Sequence, residues 1–219
     1  MSVAVHIYPL SRLVHASAGS WESQLRTIEE GKVHAYRYYL PLREAVVAYC
    51  RSRGKKLNPI LHQLSISASA VTANRGANPA DDNRAAFDVF VGSFYPRIGQ
   101  FGQNFLREDA KQGCAFEGVR LGGLPHFSAT DVKGNVRYIY LHASKWGEDD
   151  LKAYLELLSV IVGDKFNAPS SAIWCMDLRS GKDYKWKSSP RMRTRCVNAA
   201  RLYARLIEAM QSPNRAKLL

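Results

Sequence analysis

The fold is decided between residues 114 and 146, where the chain reads CAFEGVRLGGLPHFSATDVKGNVRYIYLHASKW. Glycines and turn-forming residues are mixed there with β-forming residues, a composition typical of short strands joined by tight turns. We predict strands near 116–121 and 126–130, a turn at 131–135 and a further strand at 136–142. The stretch therefore predicts a β-hairpin preceded by one more strand.

The residues after this stretch extend the pattern. Three consecutive acids at 148–150 favour the start of a helix, and apolar residues then recur at helical spacing as far as Ile161. The apolar run SAIWCMDL (171–178) predicts a strand, SGK (180–182) its exit turn, and residues 196–210 a last helix. Strand, hairpin, helix, strand and helix in this order are typical of an α/β unit.

The first half of the chain predicts mostly helices, after a short strand that ends at Pro9. Capping residues and apolar spacing indicate helices from Ser20, from Pro41 to Gly54, from about 81 to 91 and from 97 to 111. Residues from Asn58 can open a further helix, although LSISASAV (64–71) also fits a strand.

We therefore predict an α+β or α/β fold in which a helical N-terminal half is followed by a small mixed sheet flanked by helices. The predicted regions are 1–111, mostly helical, and 112–219, which is α/β and carries a basic C-terminal segment. A single compact domain is the alternative.

The composition points to a polyanionic partner. The chain has 219 residues, and its 31 Lys and Arg outnumber 19 Asp and Glu, for a formal net charge of +12. Such an excess repels itself in a compact protein and is typical of proteins that bind nucleic acid. No run of about 20 apolar residues is present, and the N-terminus lacks the pattern of a secretory signal. We therefore expect a cytoplasmic protein without membrane contact.

The positive charge is concentrated in residues 179–205, called the basic segment below. It holds nine Lys and Arg against one acid, Asp183. Cations neutralise phosphates, and an aromatic face can stack on an unpaired base. The predicted nucleic-acid contacts are Arg179, Lys182, Tyr184, Lys185, Trp186, Lys187, Arg191, Arg193, Arg195 and Arg201. A weaker second set of cations is Arg37, Arg43, Arg51, Arg53, Lys55 and Lys56.

The four cysteines do not predict a metal site or a disulfide framework. They are Cys50, Cys114, Cys175 and Cys196, and no two lie within four residues of each other. A zinc knuckle requires closely spaced pairs. Cys50 and Cys175 lie among apolar neighbours, so we expect them to pack as small hydrophobic residues.

In the order of its elements, the chain over about 114–187 resembles the PD-(D/E)XK nucleases, especially the RecB-like branch. GLPH (123–126) falls at the place of the first aspartate of that family, HASK (142–145) at that of its D/E-x-K motif, and residues 181–182 form a glycine-lysine exit turn. The resemblance implies acids that hold a divalent metal and a lysine that positions the attacking water. Here His126 replaces the first aspartate and Ala143 the second acid, while Lys145 remains. The candidate catalytic residues under this alternative are Glu117, Asp131 and Lys145, with Mg²⁺ as the cofactor.

A second resemblance covers GCAFEGVRLGGLPHFSATD (113–131) together with SGKDYKW (180–186). These stretches are similar to the zinc-knuckle region and downstream strand of the type IV CRISPR large-subunit family. Of the paired cysteines of that family only Cys114 is present, and Glu117 stands at the second position. The resemblance implies a non-catalytic subunit of an RNA-guided complex in antiviral defence.

The favoured prediction is a non-catalytic nucleic-acid-binding protein, without a cofactor, that works with other protein subunits and contacts DNA or RNA phosphates through the basic segment. The alternatives are a divergent metal-dependent nuclease and a basic protein-interaction adaptor. His126 and His142 flank the hairpin and could face each other, as in a metal-independent nuclease, or could be two hydrogen-bonded strand residues.

Overall fold

The computed structural model describes residues 3–16, 20–21, 38–71, 78–106, 113–144 and 146–211. The helices of these ranges are α1 (Ile7–Leu13), α2 (Leu40–Arg51), α3 (Leu57–Ser69), α4 (Pro79–Val89), α5 (Glu148–Phe166) and α6 (Pro190–Gln211). The strands are β1 (Val3–His6), β2 (Ile98–Asn104), β3 (Cys114–Phe116), β4 (Val119–Gly122), β5 (Phe127–Asp131), β6 (Val136–His142), β7 (Ile173–Asp177) and β8 (Lys182–Asp183). Short π- and 3₁₀-helical turns, Phe90–Phe94, Tyr95–Arg97 and Ser170–Ala172, connect some of them. The fold is α+β, as predicted.

A five-stranded sheet with the order β2-β5-β6-β7-β8 forms the centre of the fold. β6 and β7 run parallel, joined through α5, and the other neighbours are antiparallel. The predicted β5–β6 hairpin is confirmed. Its turn is held by the Asp131 side chain, whose Oδ1 accepts hydrogen bonds from the backbone N–H groups of Lys133 and Asn135, each at 2.9 Å.

A second sheet has three strands in the order β1-β4-β3. β1 runs parallel to β4, and β3 and β4 form a hairpin. The prediction of one continuous strand near 116–121 was wrong, because the chain reverses at Glu117 and Gly118. Both residues have positive φ, 49° and 85°, the conformation of the two-residue turns that join antiparallel strands.

Helices cover both faces of the central sheet. One buried cluster joins α1, α5, α6 and the three-stranded sheet to one face, and a second packs α2, α3 and α4 against the other. Leu155, Leu157, Leu158 and Ile161 of α5 are fully buried. Burial of one such side chain contributes about 2 kcal/mol, so α5 is a principal anchor of the first cluster.

The helix predicted at 97–111 is wrong, since Ile98–Asn104 is strand β2, paired with β5. The sequence IGQFGQN has two glycines, which weaken a helix. Glycine also permits a close approach between the two strands, because a Cβ at Gly102 would lie 2.6 Å from the Ser128 Oγ. Tertiary pairing therefore determines this element.

The first strand ends at His6, and the prediction that it continues to Pro9 was wrong, because Ile7–Leu13 forms helix α1. Most of the remaining elements agree with the predictions apart from their limits. The ambiguous stretch at 64–71 lies mostly in α3 and is not a strand, whereas the last helix begins at Pro190, six residues before the predicted position. Most of the helix predicted from Ser20 lies outside the described residues. The division at 111/112 stays a prediction, but each sheet contains a strand from either side of it. None of the helices in the described part of the chain is long and apolar enough to cross a membrane.

Candidate nucleic-acid interface

The basic segment runs from the end of β7 through β8 and an extended stretch into α6. The backbone N–H of Tyr184 donates to the Cys175 carbonyl at 3.0 Å, which ties the stretch to β7. Ser189 then caps α6, since its Oγ accepts from the Met192 N–H at 3.2 Å, and Pro190 suits the first helical position. Arg191, Arg193 and Arg195 therefore lie in the first turns of a helix, whereas the sequence had placed them before it.

Seven of the nine cations of the segment are exposed, and six of these form no ion pair with another described residue. These six cations are Arg179, Lys182, Lys185, Lys187, Arg191 and Arg205. The one acid in the segment, Asp183, is bound by Arg97, whose Nη1 and Nη2 lie 2.9 and 2.7 Å from its two carboxylate oxygens. Arg97, a cation from outside the segment, thus neutralises Asp183. No acid of the segment is left to neutralise its exposed cations.

The other three arginines of the segment have partners within the fold. Arg201 donates to Glu117 Oε2 at 2.8 Å. Arg195 Nη1 lies 3.4 Å from the His15 Nδ1. Arg193 has its guanidinium carbon 5.4 Å from the centre of the Phe116 ring. These contacts attach α6 to the three-stranded sheet and to α1, so Arg193, Arg195 and Arg201 have structural contacts besides their predicted role.

Both aromatic residues of the segment pack inward. Tyr184 and Trp186 are partly buried against the first cluster. Burial, followed by the nearby Glu148 carboxylate, raises the pKa of Tyr184 to about 12. Because the rings contribute to the core, the geometry adds no support to base stacking, and the stacking role of Tyr184 and Trp186 stays a prediction.

A buried acid that the sequence analysis missed anchors the start of α6. The side chain of Glu156 on α5 is only 1% exposed and lies 3.7 Å from Arg193 Nη1. Its Oε1 also accepts a hydrogen bond from the Ser188 Oγ at 2.8 Å. The available signal was an acid inside the apolar run YLELL (154–158), since a buried carboxylate requires a partner.

The candidate nuclease residues are not brought together. Glu117 lies in the turn of the three-stranded sheet and binds Arg201, whereas Asp131 ends β5 of the other sheet and binds Arg137, with Nε–Oδ2 at 2.9 Å. Hydrogen bonds, first from the Asn135 backbone, hold the pKa of Asp131 well below its usual range. Lys145 lies outside the described residues. The catalytic assignment therefore stays a prediction to which this geometry adds no support.

The two hairpin histidines are buried in an aromatic cluster around Tyr140. Their ring centres lie 4.9 Å (His126) and 6.4 Å (His142) from that of Tyr140. The His126 Nδ1 accepts from the Leu141 backbone N–H at 3.0 Å, and the buried His142 Nδ1 has no hydrogen-bond partner among the described residues. Burial lowers the pKa of both imidazoles. They are therefore neutral at pH 7, and Tyr140 contacts both.

The four cysteines are all buried free thiols. Burial raises the pKa of Cys50 to about 12; this suits the expected packing as a hydrophobic residue. Across the described ranges, His, Cys, Asp and Glu side chains nowhere form a group of three that could hold a metal ion.

Comparison of the chain with protein-family models, with curated proteins and with solved structures gives no significant match in any of the three. The resemblances to the nuclease and CRISPR families therefore stay predictions made from the motifs alone.

Proposed function

We propose that this chain is a non-catalytic nucleic-acid-binding protein that acts as a subunit of a nucleoprotein assembly. The observation that carries the proposal is the set of six exposed cations in the basic segment, none with an ion-pair partner among the described residues. Such side chains can bind phosphates without first breaking a contact within the fold. The nucleic acid would supply the negative charge that the segment lacks.

The start of α6 adds a second reason. The N-terminus of a helix carries partial positive charge and favours acids, yet α6 has no acid in its first turn. It carries Arg191, Arg193 and Arg195 instead. Glu156 lies near only one of these arginines. A phosphate bound there would contact both the arginines and the helix terminus.

The finer identity of the assembly rests on sequence resemblance. An RNA-guided complex of the CRISPR type is compatible with a basic protein that holds a strand without cutting it. The separation of Glu117 and Asp131 between two sheets makes metal-dependent cleavage the less supported alternative.

Charge reversal tests the proposal. The triple variant K185E, K187E, R191E removes three exposed cations of the segment, and each phosphate contact contributes about 0.7 to the salt slope of single-strand binding. At 0.1 M salt the variant should bind a labelled oligonucleotide about 100-fold more weakly than the wild type. Fluorescence anisotropy with DNA and RNA, each single- and double-stranded, measures this and identifies the preferred polymer.

The matched control is the triple variant R12E, R120E, K133E, which makes the same change in net charge at exposed positions of α1, β4 and the β5–β6 turn. Equal losses in both triples would show that only net charge matters, and absence of binding by the wild type would refute the proposal. Cleavage of the labelled strand with Mg²⁺ present would favour the nuclease alternative instead.

A further inference from the structure

A polar groove lies between the C-terminal end of α2 and the edge strand β2. Its volume is about 870 Å³, within the range of pockets that bind small ligands. Arg51 and Arg53 line it, together with Tyr95 and the whole of β2, and none of the described residues that line it is an acid. Among the described strands, β2 is at the edge of the five-stranded sheet and pairs only with β5. The groove is thus a cationic cleft remote in sequence from the basic segment.

Arg53 has a backbone conformation that arginine rarely adopts. Its φ is 54°, at the position after the α2 C-cap where helices usually place glycine. The Arg53 N–H donates to the Cys50 carbonyl at 3.0 Å and the Gly54 N–H to the Tyr49 carbonyl at 3.1 Å. This hydrogen-bond pair defines a Schellman motif, which glycine or asparagine at position 53 would form with less strain.

An arginine next to the C-terminus of α2 gains a small helix-dipole contribution, but this does not require the left-handed conformation. Among the described residues the other non-glycine residues with positive φ are Glu117 and Asn167. Glu117 binds Arg201, and asparagine tolerates the left-handed conformation. The Arg53 side chain is exposed and forms no hydrogen bond, ion pair or ring contact with another described residue. Backbone strain that no contact within the fold offsets is typical of functional positions.

Arg51 is oriented by an aromatic ring and not by a carboxylate. Its guanidinium carbon lies 5.5 Å from the centre of the Phe101 ring, and that ring stacks on Phe127 at 5.7 Å between centres. A ring contact restricts the guanidinium without neutralising it, so Arg51 keeps its charge for a ligand in the groove.

We infer that this groove is a second nucleic-acid site, in which Arg51 and Arg53 bind phosphates of a single strand. The inference rests on the proposed function, because it takes the same class of ligand. A pocket of this size admits a few nucleotides of one strand and not a duplex. The exposed amide of Gln100 on β2 supplies a hydrogen-bonding group for a base, as in other single-strand sites. In this site, binding of a phosphate by Arg53 would account for an arginine at a position with positive φ.

The variant R53G separates this role from any contribution to folding. It should raise the midpoint of thermal unfolding, since glycine relieves the positive φ, and should lower affinity for a labelled single-stranded oligonucleotide about fivefold at 0.1 M salt. R53K should keep the affinity without raising the midpoint.

The control K133G removes one exposed cation from a turn outside the groove, and should leave the affinity unchanged without raising the midpoint. Combining R51A with R53G should reduce the salt slope by about 1.4.

Unchanged affinity in R53G and in the double variant would overturn the groove site, and a lower unfolding midpoint in R53G would overturn the strain argument. If the K185E, K187E, R191E triple loses binding while the groove variants do not, the proposed function stands and this inference fails. If the wild type binds no oligonucleotide, both fail. Photo-crosslinking of a bromouracil-labelled strand should yield adducts at Tyr95 or Phe101, and adducts confined to the basic segment would contradict the site.

Discussion

The helices α5 and α6 begin in opposite ways, although they pack against each other in one core. The first turn of α5 holds Glu148, Asp149 and Asp150, and acids at this end stabilise a helix by about 0.3 to 1 kcal/mol each. The first turns of α6 hold arginines instead. The start of α5 is therefore arranged for folding, whereas the start of α6 carries an electrostatic cost that the nearby acid Glu156 offsets only at Arg193.

The difference extends to how each helix is capped. The N-cap of α5 is Gly147, which offers no side-chain hydrogen bond, so the charge of the three acids is what favours this helix start. α6 has the Ser189 cap and Pro190, which set its start without help from charge. Since the cap and the buried Glu156 hold the helix in place, residues such as Arg191 are available for binding.

The largest expected effect comes from removing the contact between the two helices. E156A deletes the acceptor of the Ser188 hydroxyl and leaves Arg193 without its nearby acid, so we expect a loss of about 2 to 3 kcal/mol in the free energy of unfolding. Urea denaturation measures it. S188A, which removes one hydrogen bond, should cost about 1 kcal/mol. Equal stability of E156A and wild type would show that Glu156 does not anchor α6.

The start of α1 differs from those of α5 and α6, because its N-cap is a histidine whose protonation makes stability depend on pH. His6 caps α1, with its Nδ1 accepting from the Tyr8 N–H at 3.1 Å, and burial, followed by Arg43, lowers its pKa to about 4. Because the unfolded state takes up the proton first, stability is fully present above about pH 6.5 and is lost as pH falls from 6.5 towards 4. Near pH 4.5 this loss amounts to about 2 kcal/mol.

H6N keeps a side-chain acceptor at the cap and removes the titrating group, so its stability should fall less steeply between pH 6.5 and 4.5. Thermal unfolding at a series of pH values compares it with the wild type, and H62N, at an exposed position on α3, serves as the control. A wild-type slope retained in H6N would assign the pH dependence to other groups.

The smallest effect tests the two helix starts directly by exchanging their charges. R191E places an acid in the first turn of α6 and should stabilise the protein by about 0.5 kcal/mol while weakening oligonucleotide binding. D149K places a cation at the start of α5 and should destabilise by a similar amount without weakening binding. Urea denaturation and fluorescence anisotropy, both carried out on each variant, measure the changes in stability and in oligonucleotide affinity. A loss of stability in R191E would mean that the arginine serves the fold.

Much of the fold could be predicted because it depends on local patterns. The β5–β6 hairpin follows from a turn in which Asp131 binds the backbone two and four residues ahead, and α5 follows from its acids and apolar stripe. Strand β2 could not be predicted, since its glycine-rich sequence becomes a strand only by pairing with β5. The β3–β4 turn was missed because glutamate at a positive φ is rare.

For the candidate site, the sequence located the charge but not its availability. Arg191 and Arg201 look alike in the sequence, yet one is exposed without an ion pair and the other binds an acid 84 residues away. The same holds for Glu117, whose partner is that arginine. Contacts at this separation depend on how α6 packs against the three-stranded sheet, and no local pattern encodes them.

By itself, then, the sequence determined the helices with strong periodicity, the hairpin and the concentration of positive charge in residues 179–205, because spacing, turn chemistry and net charge act over a few residues. Only the tertiary structure decided which cations stay exposed, that Glu156 anchors the start of α6 and that Arg51 and Arg53 line one groove with β2. The physical reason is that burial and ion pairing depend on neighbours brought together by the sheet order. The contrast between the acidic start of α5 and the basic start of α6 is visible in the sequence once both helix starts are known, and the structure supplied the second of them.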